Sequence, residues 1–224
     1  MIKLVIFDLD GTLLNTLEDL ANSCNYILEK NNFPTHPIDN YKNYIGGGMK
    51  NLIQKSTPEN ATNPDIINKI TEEFTCYYRT HSEIKTAPYP GIIELLHTLS
   101  SRNIKLAIAS NKIDPATKAL SKKYFTNIHF DSILGQRENT PTKPDPQIIY
   151  DTINQIDIIN KTDILYIGDT DTDMKTAANA GVTSIGVLWG FRTREELNKN
   201  GANYLAKEPK DIIHIIDMLN KQSQ

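Results

Sequence analysis

Three short apolar runs in this chain each end in residues able to carry charge or donate hydrogen bonds. Leu4-Val5-Ile6-Phe7 runs into Asp8, Leu106-Ala107-Ile108-Ala109 into Ser110-Asn111, and Leu165-Tyr166-Ile167-Gly168 into Asp169. Asp8 and Asp10 stand two apart just before Gly11, and Asp169, Asp171 and Asp173 make a second acidic cluster. In isolation an Asp-x-Asp-Gly is ordinary turn chemistry, because Asx side chains close such turns on their own backbone. A calcium loop fails at both places: the sixth position needs Gly, and the chain has Leu13 or Met174 there. Carboxylates gathered in one crevice repel each other and take up protons unless a cation neutralises them. Mg²⁺ is the economical cation, since it takes oxygen from one or two carboxylates and leaves its other positions to water and phosphate. Lys143, in the proline-stiffened Pro141-Thr142-Lys143-Pro144-Asp145-Pro146, would balance carboxylate charge and hold a phosphoryl oxygen if it lay near Asp8; elsewhere it is an ordinary solvated lysine. Ser110 could donate to another phosphoryl oxygen, or simply cap the next segment.

These residues need elements to bring them together. The three runs, with Ser184 to Leu188, are unbroken and rich in β-branched residues, which suits strands buried on both faces of a parallel sheet. Helical spacings lie between them, as in Ile92, Leu95, Leu96 and Leu99, then Ile148, Ile149, Ile153 and Ile156. Alternating strand and helix predict an α/β fold with a doubly wound, Rossmann-like parallel sheet. Ligands of such sheets bind beyond the carboxyl ends of the strands, so Asp8, Ser110 and Asp169 should converge on one crevice.

One region breaks the alternation. Residues 16–82 carry only helical spacings, with Leu17, Leu20, Ala21, Cys24, Ile27 and Leu28, then Ile66, Ile67, Ile70, Phe74, Tyr77 and Tyr78. That is far more chain than a crossover of a dozen or so residues needs, so the segment is expected to be an inserted helical cap on a core of residues 1–15 and 83–224. Gly46-Gly47-Gly48 lies inside it and is either a helix break or a loop closing over a substrate. It is not a dinucleotide-binding G-x-G-x-x-G, because Asn51 occupies the sixth position and no strand precedes it. A last helix is expected over about Pro209 to Asn220.

Composition removes several function classes. Twenty-four Lys and Arg against 27 Asp and Glu give a net charge of −3 without long like-sign runs, which argues against nucleic-acid binding and a polybasic membrane surface. Cys24 and Cys76 stand far apart, with no ligand spacing for zinc and no disulfide framework. No stretch of 18 apolar residues and no signal-peptide layout occurs, so a soluble cytoplasmic protein is expected.

Taken in order, Phe7-Asp8-Leu9-Asp10-Gly11-Thr12-Leu13, Ala109-Ser110-Asn111, Lys143-Pro144 and Gly168-Asp169-Thr170-Asp171-Thr172-Asp173 closely resemble the four motifs of the haloacid dehalogenase-like hydrolase superfamily. The helical insert after the first motif resembles that superfamily's first class of cap. Tyr44-Ile45-Gly46-Gly47-Gly48, Ser110-Asn111-Lys112 and Trp189-Gly190-Phe191 look most like the phosphoglycolate phosphatase branch. The resemblance implies a Mg²⁺-dependent phosphatase acting on a small phosphorylated metabolite, as a monomer or homodimer. It implies Asp8 as nucleophile and metal ligand and Asp10 as acid and base with its carbonyl on the metal. Ser110, Asn111 and Lys143 would be at the phosphoryl group, Asp169 and Asp173 at the metal, and Gly46, Gly47 and Gly48 in the cap's substrate loop. Asn15 departs from it, since relatives commonly carry an acid there. A sugar-phosphate mutase of the same superfamily would want cap cations for a second phosphate, and near the glycines only Lys42, Lys50 and Lys55 are available. A phospho-accepting receiver shares the strand-end Asp, Ser and Lys but has no use for Asp10 or a cap.

Overall fold

A computed structural model describes residues 1–61, 63–157 and 160–222. Its centre is a six-stranded parallel sheet of order β5-β4-β1-β6-β7-β8, made of β1 (Leu4–Phe7), β4 (Lys105–Ile113), β5 (Ser132–Gln136), β6 (Ile164–Gly168), β7 (Thr183–Val187) and β8 (Tyr204–Ala206). β1 sits in the middle, with Leu4 opposite Lys105 on one side and Ile164 on the other. All four of its side chains are fully buried. Alternate residues serve opposite faces: Val5 and Phe7 join one apolar cluster, Leu4 and Ile6 the other. Each such side chain contributes about 1.5–3 kcal/mol relative to exposure, which is why an unbroken apolar run is selected here.

Helices cover both faces. α5 (Ile92–Ser101) and α10 (Pro209–Gln222) pack on the Val5 and Phe7 face; α7 (Gln147–Ile156) and α8 (Asp171–Ala180) cover the other. α6 (Asp114–Tyr124) and α9 (Arg194–Lys199) complete the layers. Six of the elements expected from spacing fall within two residues of those observed: β1, β6, β7, α5, α7 and α10. Strands β5 and β8 were not expected. They are short edge strands: β5 is interrupted by Ser132 and Gly135, and β8, only three residues long, is too short to stand out as a run.

Between β1 and β4 the chain forms α1 (Leu17–Lys30), α2 (Tyr41–Tyr44), α3 (Met49–Ser56) and α4 (Pro64–His81), which pack on one another around Leu20, Cys24, Ile53, Ile70, Phe74 and Tyr78. Chain leaves and returns through a two-stranded antiparallel pair, β2 (Leu14–Asn15) and β3 (Ala87–Pro88). The return is pinned by Asp19 of α1, whose carboxylate accepts from the backbone N–H groups of Ile84, Lys85 and Thr86 and from the Thr86 hydroxyl. Both cysteines are free thiols, Cys24 buried and Cys76 exposed. Among the described residues no helix is long and apolar enough to cross a membrane.

Candidate active site

Asp8 follows the last residue of β1, and its N–H is held by the Ile167 carbonyl of the neighbouring strand at 2.8 Å. Its carboxylate is therefore fixed at the carboxyl edge of the sheet, where it is buried. Asp169 and Asp173 reach the same point, and one carboxylate oxygen from each of the three lies within 4.8 Å of the others. The backbone around Asp169 leaves no spare room. A Cβ on Gly11, whose φ is +85°, would stand 2.3 Å from Asp169 Oδ2, and one on Gly190 would stand 2.2 Å from the Asp169 Cβ. Asp169 accepts from the Thr12 hydroxyl (2.9 Å) and the Phe191 N–H (2.8 Å).

Lys143 lies among these carboxylates and away from solvent. Its Nζ is 3.0 Å from Asp8 Oδ1 and 2.7 Å from Asp173 Oδ1, and it also donates to the Tyr166 hydroxyl and the Ala109 carbonyl. The peptide bond between Lys143 and Pro144 is cis. Asn111 fixes the backbone at that point, accepting from the Lys143 N–H at 2.8 Å and donating to the Lys143 carbonyl at 3.1 Å. Asp173 caps α8: its Oδ2 accepts from the N–H and hydroxyl of Thr170. With Tyr166 donating to Oδ1 as well, Asp173 accepts four hydrogen bonds. Ser110, on β4 beside the irregularity between Ala109 and Ile113, is buried; its oxygen accepts from the Lys112 N–H at 3.3 Å.

Electrostatics follow from the burial. Asp8 is pushed up to about 7, chiefly by desolvation, with Lys143 pulling it back and Asp173 and Asp10 raising it further. Asp169 is driven well above the usual carboxylate range by burial and then by Asp173 and Asp8. Lys143 stays above its ordinary value because Asp173 and Asp8 outweigh the burial that opposes its charge. Asp8 Oδ1 is also an unsatisfied atom: it is buried, and its approach to Lys143 lacks hydrogen-bond alignment.

Asp10 sits two residues on, at the floor of a small cavity between sheet and helices. Both of its oxygens accept from Lys112 Nζ, at 3.0 and 3.1 Å, and that ammonium donates a third time, to the Tyr78 hydroxyl of α4 at 3.1 Å. The cavity has ≈ 40 Å³ of room for water and is lined on the sheet side by Asp8, Asp10 and Ser110 through Lys112. Its other wall is Leu20, Ile45, Gly46, Gly48, Met49 and Leu52. The three glycines separate α2 from α3, so they do break a helix, and they also face the sheet: the Gly46 carbonyl accepts from Asn111 at 3.0 Å. A second tie comes from Arg192, which donates to the carbonyls of Lys42 and Ile45 and pairs with Asp171 at 3.3 Å. Beside it, Phe191 inserts its ring into the apolar cluster of α1–α4.

Asp8, Asp10, Ser110, Asn111, Lys143, Asp169 and Asp173 are thus brought to one place, with Gly46 and Gly48 over them. Lys112, Tyr78, Tyr166, Thr12 and Arg192 belong to the same constellation and were not singled out by spacing. Tyr78 follows Phe74 at i+4 and reads as core, which it also is; Lys112 stands out in the sequence only as the third residue of Ser110-Asn111-Lys112, with no role attached.

The family profile of haloacid dehalogenase-like hydrolases matches residues 5–187, and the chain belongs to that family. Two curated relatives, both phosphoglycolate phosphatases, are similar over most of their length: one from Aquifex aeolicus (29% identical, 96% of this chain and 97% of that one) and one from Agrobacterium fabrum (33%, 84% and 81%). A crystal structure from Lactobacillus delbrueckii subsp. bulgaricus that carries a provisional phosphoglycolate phosphatase name superposes with a TM-score of 0.88 at 30% identity, covering 94% of this chain and 96% of that one. Within its family the chain falls in the phosphoglycolate phosphatase-like branch and is a phosphatase.

Proposed function

We propose that the chain is a Mg²⁺-dependent phosphatase that hydrolyses a small monoester of the phosphoglycolate kind through an aspartyl-phosphate on Asp8. The observation that carries this is Asp8: a buried carboxylate lining the cavity, one oxygen of which lies 3.0 Å from a buried ammonium and accepts no hydrogen bond. An Asp8 oxygen attacks phosphorus while the bond from phosphorus to the ester oxygen breaks, and Asp10 gives its proton to the departing oxygen. Asp10, now a carboxylate, takes a proton from water as that water's oxygen attacks phosphorus, freeing Asp8 and inorganic phosphate. Two displacements replace one, each with a positioned acid or base. Ser110 and Lys143 hold the phosphoryl oxygens.

The donor set fits Mg²⁺. Among the described residues Asp8, Asp10, Asp169 and Asp173 face only Lys112 and Lys143, leaving two negative charges to be neutralised when all four are ionised, and every available donor is a hard oxygen. Asp8, Asp169 and the Asp10 carbonyl would hold the ion, and Asp173, its oxygens already engaged, would orient Lys143 and the start of α8. Bound there, the cation would offset charge on the transferring phosphoryl group. Residues 16–82 act as a cap on a core of 1–15 and 83–224, and a small cavity with an apolar cap wall suits a short leaving group.

The lining also weighs against a mutase: no cap cation faces the cavity among the described residues, and Lys42 and Lys55 are engaged outside it with Asp39 and the Asn43 carbonyl. The deciding experiment replaces the nucleophile. Asp8→Asn should abolish phosphate release from phosphoglycolate and from an aryl phosphate with an unchanged circular dichroism spectrum. Retention of more than about a tenth of the activity, a loss under roughly 1.4 kcal/mol, overturns the assignment. A panel of phosphorylated metabolites then ranks the leaving groups by kcat/KM.

A further inference from the structure

Lys112 is a buried cation that the two displacements leave without a task. Its side chain is 1% exposed, and burying an ammonium is costly unless its charge and its protons are all matched. Here they are. An ammonium has three N–H donors, and these go to Asp10 Oδ1, Asp10 Oδ2 and the Tyr78 hydroxyl at 3.0, 3.1 and 3.1 Å. The Tyr78 ring also lies under the ammonium, 4.7 Å from Nζ to the centroid.

We infer that Lys112 is a positioning residue that holds the Asp10 carboxylate for proton transfer and ties it, through Tyr78, to a seated cap. The inference rests on the phosphatase reading, since the task of Asp10 comes from there. Two facts make Tyr78 a reporter of the cap and not a chance neighbour. It is 1% exposed in the apolar cluster of α1–α4, stacked on Phe74 at 5.3 Å, so its ring moves only with α4. The chain just beyond α4 is pinned to α1 by Asp19, so α4 moves with the cap helices as a body. Lifting the cap takes one hydrogen-bond partner and a ring face from Lys112, and Asp10 loses a fixed counter-ion. When the cap is seated, the proton leaves Asp10 for the ester oxygen beside a cation already in place, which stabilises the carboxylate charge as it forms.

That role is felt only where the leaving oxygen needs a proton. An alkyl alkoxide needs one, and p-nitrophenolate hardly does. In the first turnover of the full-length enzyme with Mg²⁺, Lys112→Met should slow leaving-group release from phosphoglycolate by about 10² and from p-nitrophenyl phosphate by less than about threefold, with KM for either nearly unchanged. Tyr78→Phe keeps the ring and removes one hydroxyl, so it should fold; a smaller loss, roughly fivefold, is expected with phosphoglycolate alone. Equal losses on both esters, no loss, or a loss confined to KM for the anionic ester would overturn the inference, the last by making Lys112 a reader of the leaving group. Should Lys112→Met not fold, Tyr78→Phe decides by the same criteria. Asp10→Asn separates the two levels: if it leaves phosphate release intact, the phosphatase reading of Asp10 fails. If it inactivates while Lys112→Met and Tyr78→Phe do not, only the present inference fails.

Discussion

At the scale of single residues, Lys143 has the most demanding surroundings. Its ammonium is shared between Asp8 and Asp173, and it cannot serve one without being placed by the other. Lys143→Met leaves two buried carboxylates facing each other with no cation, so turnover should fall by at least about 10², the scale set by losing one preorganised charge at a transferring group. Lys143→Arg should not rescue it, because a planar guanidinium cannot replace a point charge among the same four partners. Steady-state kinetics on the purified variants, beside their melting curves, checks this; recovery by Arg to within a few fold would count against a fixed ammonium. Residues of this kind are legible in sequence when they end a buried strand. Asp8, Ser110 and Asp169 announce themselves as polar residues closing apolar runs, and Lys143 does so through its prolines. Tyr78 and Tyr166 cannot. Each occupies a position where its ring belongs to a core, and the hydroxyl and ring face that it turns to a lysine of the site leave no mark in the pattern.

At the scale of elements, the seam between the α1–α4 bundle and the sheet depends on the loop from Trp189 to Arg192. Trp189 Nε1 donates to the Thr12 carbonyl, the Phe191 N–H holds Asp169, and Arg192 closes on the end of α2. One loop therefore braces a candidate metal ligand and the cap together. Arg192→Ala removes the donors from two carbonyls at a helix C-terminus, where an unpaired acceptor costs about 1–3 kcal/mol while it stays buried. The bond to the Ile45 carbonyl is buried, so water replaces the guanidinium there only if the seam opens. We expect KM to rise about tenfold or more for this seam-opening variant with a smaller change in kcat, since the cost of closure is charged to binding. Amide hydrogen exchange should quicken over residues 41–56 and not over β1 or β6; uniform quickening would mean a global loss of stability instead. Nothing in the sequence marked this loop as a strap. Arg192 makes its contacts across 150 residues of chain, and periodicity carries no information at that distance. The same limit explains β5 and β8: an edge strand is specified by the neighbour that it joins, not by a pattern of its own.

At the scale of the whole molecule, the site is a concentration of negative charge built into the carboxyl edge of an otherwise apolar sheet. The chain's net charge is −3, and four carboxylates against two ammoniums place −2 of it here if all are ionised. Without a cation, burial and the neighbouring carboxylates hold Asp8 and Asp169 above the usual carboxylate range, so their ionised forms are disfavoured. A divalent cation that binds the folded chain and not the unfolded one must therefore stabilise the fold as well as enable turnover. At a hundredfold excess over Kd the linkage is worth about 2.7 kcal/mol, which for a chain of this size raises Tm by roughly 5–10 °C. Chelation should abolish activity and lower Tm together, and Mg²⁺ should restore both. Ca²⁺ should restore Tm at least in part but not turnover, because the larger ion accepts a looser oxygen shell and leaves the nucleophile misplaced. Asp169→Asn makes the control: it removes one charge at a position where both carboxylate oxygens already accept hydrogen bonds, so the Mg²⁺-dependent rise in Tm should shrink to under about 2 °C if the ion sits where the three carboxylates meet. An undiminished rise in that variant would place the stabilising ion elsewhere on the molecule, and calorimetric melting with and without metal distinguishes the two outcomes.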